Sequence, residues 1–154
     1  NCIYVSDTSE ENRKKVNSMY TDPEHLQITD PGHVEGNVVF TYLDAFCDDS
    51  HFEKFLPEYK NLDEMKDHYR RGGLGDGTCK KFLFNIMEDF LQPMREKRAH
   101  YEQNIPQVYE ILRKGSEQAR AAAAETLADV RKAMKIDYFE DAELIAEHTK
   151  KYQK

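Results

Sequence analysis

The chain has 154 residues, 39% of them hydrophobic and 33% charged, with a formal net charge of −7 at pH 7. This length suits one domain with a modest core, and the high charged fraction means that much of each helix faces water. The acidic balance argues against a protein that coats nucleic acid non-specifically, but it leaves room for a small basic face that contacts a few phosphates. No apolar stretch is long enough to cross a bilayer, so no membrane partner is expected.

The three cysteines Cys2, Cys47 and Cys79 are odd in number and far apart, with no Cys-x-x-Cys pair among them. A disulfide framework is therefore not expected, and the reducing cytoplasm is the simplest location for the protein.

The first predicted helix begins at Asp7-Thr8-Ser9-Glu10-Glu11, where small oxygen-bearing side chains can cap free N–H groups and acids suit the positive helix end. Its apolar positions extend to Met19 and Tyr20, and Thr21-Asp22-Pro23 ends it. The stretch 24–36, which carries further proline and glycine, is predicted to be a loop.

The run Val38–Phe46 fits either a strand or a buried helix by its periodicity. We predict a helix, because no second strand is available to pair with it. A short helix around His51–Leu56 and another over Leu62–Arg71 are predicted next.

The segment 70–78 is the clearest break, with four glycines in six residues from Gly72 to Gly77. A glycine-rich loop before a helix can hold phosphate, but the known phosphate-binding loops follow a strand, and none precedes this one. A structural turn is favoured, with Asp76 or Thr78 capping the next helix and with Gly75 and Gly77 serving the architecture.

A long apolar stripe follows, and it indicates the central helix of the fold. Its members are Leu83, Ile86, Met87, Phe90, Leu91 and Met94. Pro93 lies within this pattern, so a kink or local break is expected between Asp89 and Pro93.

The next helix is predicted to open at Ile105-Pro106 and to end at Gly115, and the last strong helix then starts at Ser116. The run Ala119–Ala124 would allow close approach of another helix. The predicted fold is an all-α antiparallel helical bundle with a glycine-rich loop and a proline-kinked central helix. The predicted ranges are 1–36 for a linker and first helix, 37–136 for the bundle and 137–154 for a tail.

No motif for catalysis or metal binding is evident, so no catalytic residue and no metal ligand is predicted. No two histidines stand three or four residues apart, and Cys47 and His51 flank an acidic pair that is more typical of a turn. No nucleophile elbow occurs.

Two basic clusters are the candidate binding residues. The first has Arg95, Lys97 and Arg98 close to Tyr101, and the second has Arg113, Lys114 and Arg120 around Gly115; Lys80 begins the helix that leads to the first. Ordinary solvated helix surface is one interpretation, because glutamates are interleaved with both clusters. The other is a limited RNA contact face, with cations on phosphates and Tyr or Arg stacked on unpaired bases.

Several segments, in the same order along the chain, resemble the C-terminal region of bacterial-type tryptophanyl-tRNA synthetases, which are class I aminoacyl-tRNA synthetases. The first is similar to the stretch directly after the family's Lys-Met-Ser-Lys-Ser loop, and the last resembles its closing helix. The segments are Asn1 to Asp7, Lys15 to Pro23, Gly36 to Leu43, Tyr69 to Lys80, Leu91 to Glu96 and Gly115 to Met134.

The resemblance implies a helical domain that packs beside a Rossmann-type catalytic domain and helps to bind the anticodon end of tRNA(Trp). It implies a homodimeric full enzyme that activates tryptophan with ATP and Mg²⁺. The family's two catalytic signature loops are not in this sequence, so the fragment is expected to be inactive alone and to hold no cofactor. The tail from Asp141 has no counterpart in the resemblance.

The expected RNA contacts are Arg95, Lys97, Arg98, Lys114, Arg120 and Lys80, and DNA is not an expected partner. The alternative is a stand-alone helical protein–protein interaction module without RNA binding, which would use the Ala119–Ala124 face against a partner helix.

Overall fold

The computed structural model describes residues 2–153, which form seven α-helices and no β-strand. The helices are α1 (Ser9–Asn17), α2 (Val38–Phe46), α3 (Asp49–Phe55), α4 (Leu62–Arg71), α5 (Asp76–Glu102), α6 (Ile105–Ala133) and α7 (Ala142–Tyr152). The predicted all-α class is confirmed. Asn1 and Lys154, the outer ends of the predicted ranges, lie outside the described residues.

Helix α1 begins with a complete capping box, in which the Thr8 hydroxyl accepts from the Glu11 N–H and the Glu11 carboxylate accepts from the Thr8 N–H. The helix ends at Asn17, before Met19 and Tyr20, which the apolar pattern had placed inside it. Tyr20 is 60% exposed, so no buried contact extends the helix that far.

Helix α2 confirms the helical interpretation of Val38–Phe46. The Asn37 side chain caps it by accepting from the Val39 N–H at 3.0 Å. Val39, Phe40 and Leu43 are buried, at the three- and four-residue spacing of one helix face. Helices α3 and α4 lie close to their predicted positions, and α4 has the predicted bounds Leu62–Arg71.

Helix α5 is the central element of the core. Its buried residues are Cys79, Phe82, Leu83, Phe84, Ile86, Met87 and Leu91. The helix continues through Pro93 to Glu102, so of the two expected outcomes the local break does not occur, and the kink stays a prediction. Pro93 is exposed, and solvent can hydrate the Asp89 carbonyl that loses its helical partner.

Helix α6 corrects a second predicted boundary, because Gly115 lies in its interior and does not end it. A single glycine costs a helix only about 1 kcal/mol relative to alanine. One ion pair spans the site, from Arg113 to Glu117 at 2.8 Å, and another lies directly before it, from Glu110 to Lys114 at 3.3 Å. These i,i+4 pairs, and the alanines that follow, favour one continuous helix.

The chain divides into two compact units, one through His100 and the other from Tyr101. The buried hydrophobic core belongs to the first unit. In the second unit, neither α6 nor α7 has a buried residue. The three predicted ranges of the chain remain predictions.

Candidate nucleic-acid interface

Arg95, from the first basic cluster, is engaged within the fold. Its guanidinium donates to both carboxylate oxygens of Glu88, at 2.8 and 2.9 Å, and its Nε donates to the Asp7 carbonyl at 2.7 Å. The Arg95 and Glu88 side chains are 16% and 21% exposed. This fork-to-fork pair is the strong, directional type of charged hydrogen bond.

Glu88 also holds helix α1, because it accepts from the Asn12 side-chain amide at 2.7 Å. Asn12 is fully buried. The Arg95 guanidinium, ahead of the opposing effect of burial, lowers the pKa of Glu88 to about 2. The carboxylate is therefore ionised at neutral pH and ties α5 to α1.

Asp7 ties the segment before α1 into the same network. Its carboxylate accepts from the Tyr4 N–H at 2.7 Å and from the Lys15 ammonium at 2.6 Å. The hydrogen bond from Lys15 lowers the pKa of Asp7. The Asp7 N–H also donates to the Tyr4 carbonyl at 3.0 Å, which closes a tight turn.

Lys97 and Arg98, the other two members of the first cluster, are exposed on the last turns of α5. Tyr101 stands near the end of the same helix and is 41% exposed. An exposed Lys, Arg and Tyr on successive turns of one helix suit contacts to phosphates and to an unpaired base.

The second cluster lies on α6. Arg113 pairs with Glu110 at 2.9 Å and with Glu117 at 2.8 Å, and all three side chains are at least 45% exposed. Such exposed pairs are weak and exchange readily for other partners. Arg120 is exposed, and no ion pair is found for it among residues 2–153. Lys114 pairs with Glu110 at 3.3 Å, and because this pair is also exposed, Lys114 can exchange it for a phosphate, as can Arg120 without breaking an ion pair.

Lys80 acts inside the first unit. Its ammonium donates to the Asn17 carbonyl, the last residue of α1, at 2.9 Å. A cation at a helix C-terminus satisfies a carbonyl that has no helical partner and complements the helix dipole.

Gly75 of the glycine-rich turn packs closely, since a Cβ there would lie 3.1 Å from the Ile28 side chain, whereas the backbone conformation of the turn depends on two other glycines. Gly72 and Gly73 have φ values of +80° and +111°, which favour glycine. The Gly73 N–H donates to the Ile28 carbonyl at 2.6 Å, so this turn fastens the long loop after α1. Gly77 has no positive φ, and a Cβ there would meet no heavy atom within 4 Å.

Asp76 is the first residue of α5, not a cap before it. Its two oxygens accept from the Tyr69 hydroxyl at 2.7 Å and from the Thr21 hydroxyl at 2.8 Å. The buried His25 ring approaches it, with Nδ1 3.4 Å from Oδ1. An acidic side chain at a helix N-terminus that accepts from hydroxyl donors is a structural junction, and it takes the place that a phosphate would need.

Sequence reasoning missed Asp7, Glu88 and Tyr69, which organise these polar networks. Glu88 stands between positions of the apolar stripe. An ordinary solvent-exposed glutamate would stand there too, so the sequence does not mark Glu88 as special. No sequence signal pairs Glu88 with Arg95. Their hydrogen bonds form because the two side chains extend toward each other across two turns of α5 and because α1 packs over them.

Among residues 2–153, no group of three or more His, Cys, Asp or Glu side chains is arranged to hold a metal ion. Within the same residues, no helix has the length and apolar character needed to span a membrane.

No protein-family model matches the chain. It is 51% identical over 139 residues to the tryptophan–tRNA ligase of Clostridium longisporum, a match that covers 90% of this chain and 38% of that protein. The ligase of Streptococcus mutans serotype c is 48% identical over 139 residues, with 90% and 39% covered. The chain thus spans about two fifths of the length of these relatives.

The fold is similar to two crystal structures of tryptophanyl-tRNA synthetase from Campylobacter jejuni. One has a TM-score of 0.64 at 23% identity, covering 88% of this chain and 40% of that chain. The other, complexed with ADP and tryptophan, has a TM-score of 0.66 at 24% identity, covering 88% and 39%.

These likenesses place the helical bundle among the aminoacyl-tRNA synthetases. Within that class, the chain belongs to the tryptophan–tRNA ligase family and corresponds to the C-terminal part of its relatives.

Proposed function

We propose that this chain is the part of a tryptophan–tRNA ligase that binds the anticodon end of tRNA(Trp). The observation that carries this proposal is the identity of about half of the aligned residues to curated ligases across 90% of the chain. The full-length enzyme would activate tryptophan with ATP and Mg²⁺ in the cytoplasm as a homodimer, with its catalytic domain in the same polypeptide. The 154-residue chain alone would be inactive.

The proposed RNA contacts divide into two groups by their surroundings. Lys97, Arg98, Lys114 and Arg120 are exposed and are proposed to contact phosphates. Arg95 and Lys80 hold parts of the first unit together, so we propose that they support the end of α5 that carries Lys97 and Arg98.

The test is Arg98→Glu in the full-length ligase. Reversing one phosphate-contacting charge is expected to raise the KM for tRNA about tenfold, equivalent to about 1.4 kcal/mol. Tryptophan-dependent ATP–pyrophosphate exchange, which needs no tRNA, should stay within about twofold of the wild-type rate. Steady-state aminoacylation and exchange assays on the same preparation separate the two effects.

A matched control is Lys60→Glu, which changes the charge equally at an exposed position between α3 and α4. It should leave the KM for tRNA unchanged. Equal increases in both variants would show only a general charge effect. An unchanged KM for Arg98→Glu would remove Arg98 from the contact face.

The second candidate function is a helical protein–protein interaction module. It is favoured by the exposed apolar side chains of α6, where Leu127, Val130 and Met134 are 46%, 44% and 64% exposed. Together with the Ala119–Ala124 run they form a surface that another helix could cover. Under this alternative, charge reversal at Arg98 leaves tRNA charging untouched, whereas Val130→Glu abolishes partner binding.

A further inference from the structure

The network around Glu88 connects α5 to α1 and to the segment directly before α1, both of which are distant from α5 in sequence. Arg95 and Glu88 stand two turns apart on α5 and form a two-pronged pair at 2.8 and 2.9 Å. Asn12 of α1 donates to the same carboxylate at 2.7 Å. The third nitrogen of the Arg95 guanidinium, Nε, donates to the Asp7 carbonyl at 2.7 Å. All three guanidinium nitrogens of Arg95 thus donate hydrogen bonds, two of them within α5 and one to the segment before α1.

The segment that Arg95 holds is itself a closed turn. The Asp7 carboxylate accepts from the Tyr4 N–H and the Lys15 ammonium, and the Asp7 N–H donates to the Tyr4 carbonyl. The Asp7 side chain is only 8% exposed, although Tyr4 and Val5 are 59% and 58% exposed. The turn is therefore fixed through its polar atoms, since its larger side chains contribute little burial.

Burial and geometry make this network stiffer than a surface ion pair. The Arg95 and Glu88 side chains are 16% and 21% exposed, whereas the neighbouring pair between Lys54 of α3 and Asp89 of α5 is 53% and 44% exposed. A bidentate pair with little solvent access fixes orientation, while an exposed pair contributes almost nothing. Glu88 and Asp89 are adjacent acids of α5, so their two ion pairs form a comparison between a mostly buried and an exposed pair.

The segment at Asp7 has a further significance, because the chain corresponds to the C-terminal part of its relatives and spans about two fifths of their length. The remaining part of such a ligase precedes this segment. Two and three residues beyond Arg95, the same helix presents Lys97 and Arg98. Arg95 thus stands where the polypeptide enters the bundle and where the proposed tRNA contacts begin.

We propose that Arg95, held by Glu88, is a positioning residue for the ligase reaction: it fixes the Tyr4–Asp7 turn on α5 and thereby sets the position of the preceding catalytic part relative to the tRNA-contacting end of that helix. The inference rests on the proposed function. It assigns Arg95 a role in amino-acid activation that an RNA contact would not have.

The test uses the full-length ligase with Arg95→Lys and Arg95→Met. Lysine keeps the charge but loses the fork and the Nε bond, and methionine loses all three hydrogen bonds. The kcat of tryptophan-dependent ATP–pyrophosphate exchange is expected to fall about tenfold in Arg95→Met and less in Arg95→Lys, with the KM for tryptophan within twofold of wild type. An RNA-contact role would instead raise only the KM for tRNA.

The control is Asp89→Asn, which removes the exposed ion pair one residue from Glu88 and should leave exchange unchanged. Hydrogen exchange at residues 5–7 reports on the turn directly, and it should accelerate in both Arg95 variants but not in Asp89→Asn. Assays are run well below each variant's Tm, so that loss of folded protein does not mimic loss of kcat.

An unchanged exchange kcat in Arg95→Met, in a wild-type background that charges tRNA(Trp), would overturn the positioning role and leave the proposed function standing. A loss of kcat that follows only the folded fraction would overturn it as well. Failure of the wild-type enzyme to charge tRNA(Trp) would contradict the proposed function itself.

Discussion

The Tyr69 hydroxyl joins two elements that are far apart in the sequence. It donates to Asp76 Oδ1 at 2.7 Å and accepts from the Asn37 side-chain amide at 3.3 Å. Burial, with the neighbouring Asp76 carboxylate, raises the pKa of Tyr69 well above its usual value. The hydroxyl therefore stays protonated in any physiological medium and links the Asn37 cap of α2 to Asp76, the first residue of α5.

At the glycine-rich turn, both the backbone conformation and the close packing require a residue without a Cβ. Gly72 has φ +80°, and a Cβ added there would overlap the carbonyl oxygen of Thr29. We expect Gly72→Ala to lower the free energy of unfolding by more than about 1 kcal/mol, because alanine can neither adopt this φ cheaply nor fit the space. Urea denaturation of the chain, followed by circular dichroism, measures the change.

The control for this prediction is Gly77→Ala, five residues away. Gly77 lies in the first turn of α5 without a positive φ and without a heavy atom within 4 Å of a built Cβ. This substitution should raise the free energy of unfolding by about 0.4–1 kcal/mol through the lower entropy of the unfolded chain. Similar losses in both variants would contradict the structural distinction between the two glycines.

Glu88 makes stability depend on acid pH. Its pKa falls from 4.5 in the unfolded chain to about 2 in the fold, chiefly because Arg95 hydrogen bonds to the carboxylate. A depressed folded-state pKa stabilises the protein above about pH 4.5, and that stabilisation is lost as the pH falls toward 2. Between pH 6 and pH 3, wild type should lose about 1 kcal/mol more than Glu88→Gln, allowing for solvent screening.

Chemical denaturation at a series of pH values measures this difference. Asp89→Asn serves again as the comparison. Because the Asp89–Lys54 pair is exposed, loss of this pair should leave the pH dependence of stability as in wild type. Parallel pH curves for wild type and Glu88→Gln would show that the Arg95 pair does not depress the pKa of Glu88.

At the scale of elements, local chemistry predicted where helices begin better than where they end. Thr8 and Asn37 cap α1 and α2 with their own side chains, and such short-range hydrogen bonds are visible in the sequence. The end of α1 depends on which apolar residues find a core, whereas α6 buries none and its continuity depends on local interactions. Gly115 permits a break, but the Arg113–Glu117 ion pair across it favours a continuous helix, and a residue-by-residue pattern does not weigh these two effects.

The candidate interface was predictable only in part, for a related reason. The sequence shows that Arg95, Lys97 and Arg98 cluster on one helix, but not that Arg95 is turned toward Glu88 and Asp7. Those partners come together only when α1 packs on α5. The sequence shows where charged residues lie along the chain, whereas tertiary packing decides which of their side chains reach solvent.

At the scale of the whole molecule, the two units differ in how their helices are stabilised. Helix α5 buries seven residues, whereas α6 has 29 residues and buries none. Most helical stability in proteins comes from packing an apolar face, and a helix without such packing opens locally at little cost. Leu127 and Val130 of α6 and the adjacent Met134 are 46%, 44% and 64% exposed, so the residues that the structure describes cover this apolar face only in part.

Hydrogen exchange of the 154-residue chain should therefore be much faster in α6 than in α5. Amides between 108 and 130 are expected to exchange at least about a hundredfold faster than those between 82 and 87, because opening α6 exposes no core. Mass spectrometry of peptides from both helices at neutral pH measures the ratio.

Equal protection of the two helices at low concentration would contradict the prediction. Protection of α6 that grows with protein concentration would show that its apolar face is covered by a second copy. In the full-length ligase, protection of α6 independent of concentration would mean instead that another part of the same polypeptide covers it.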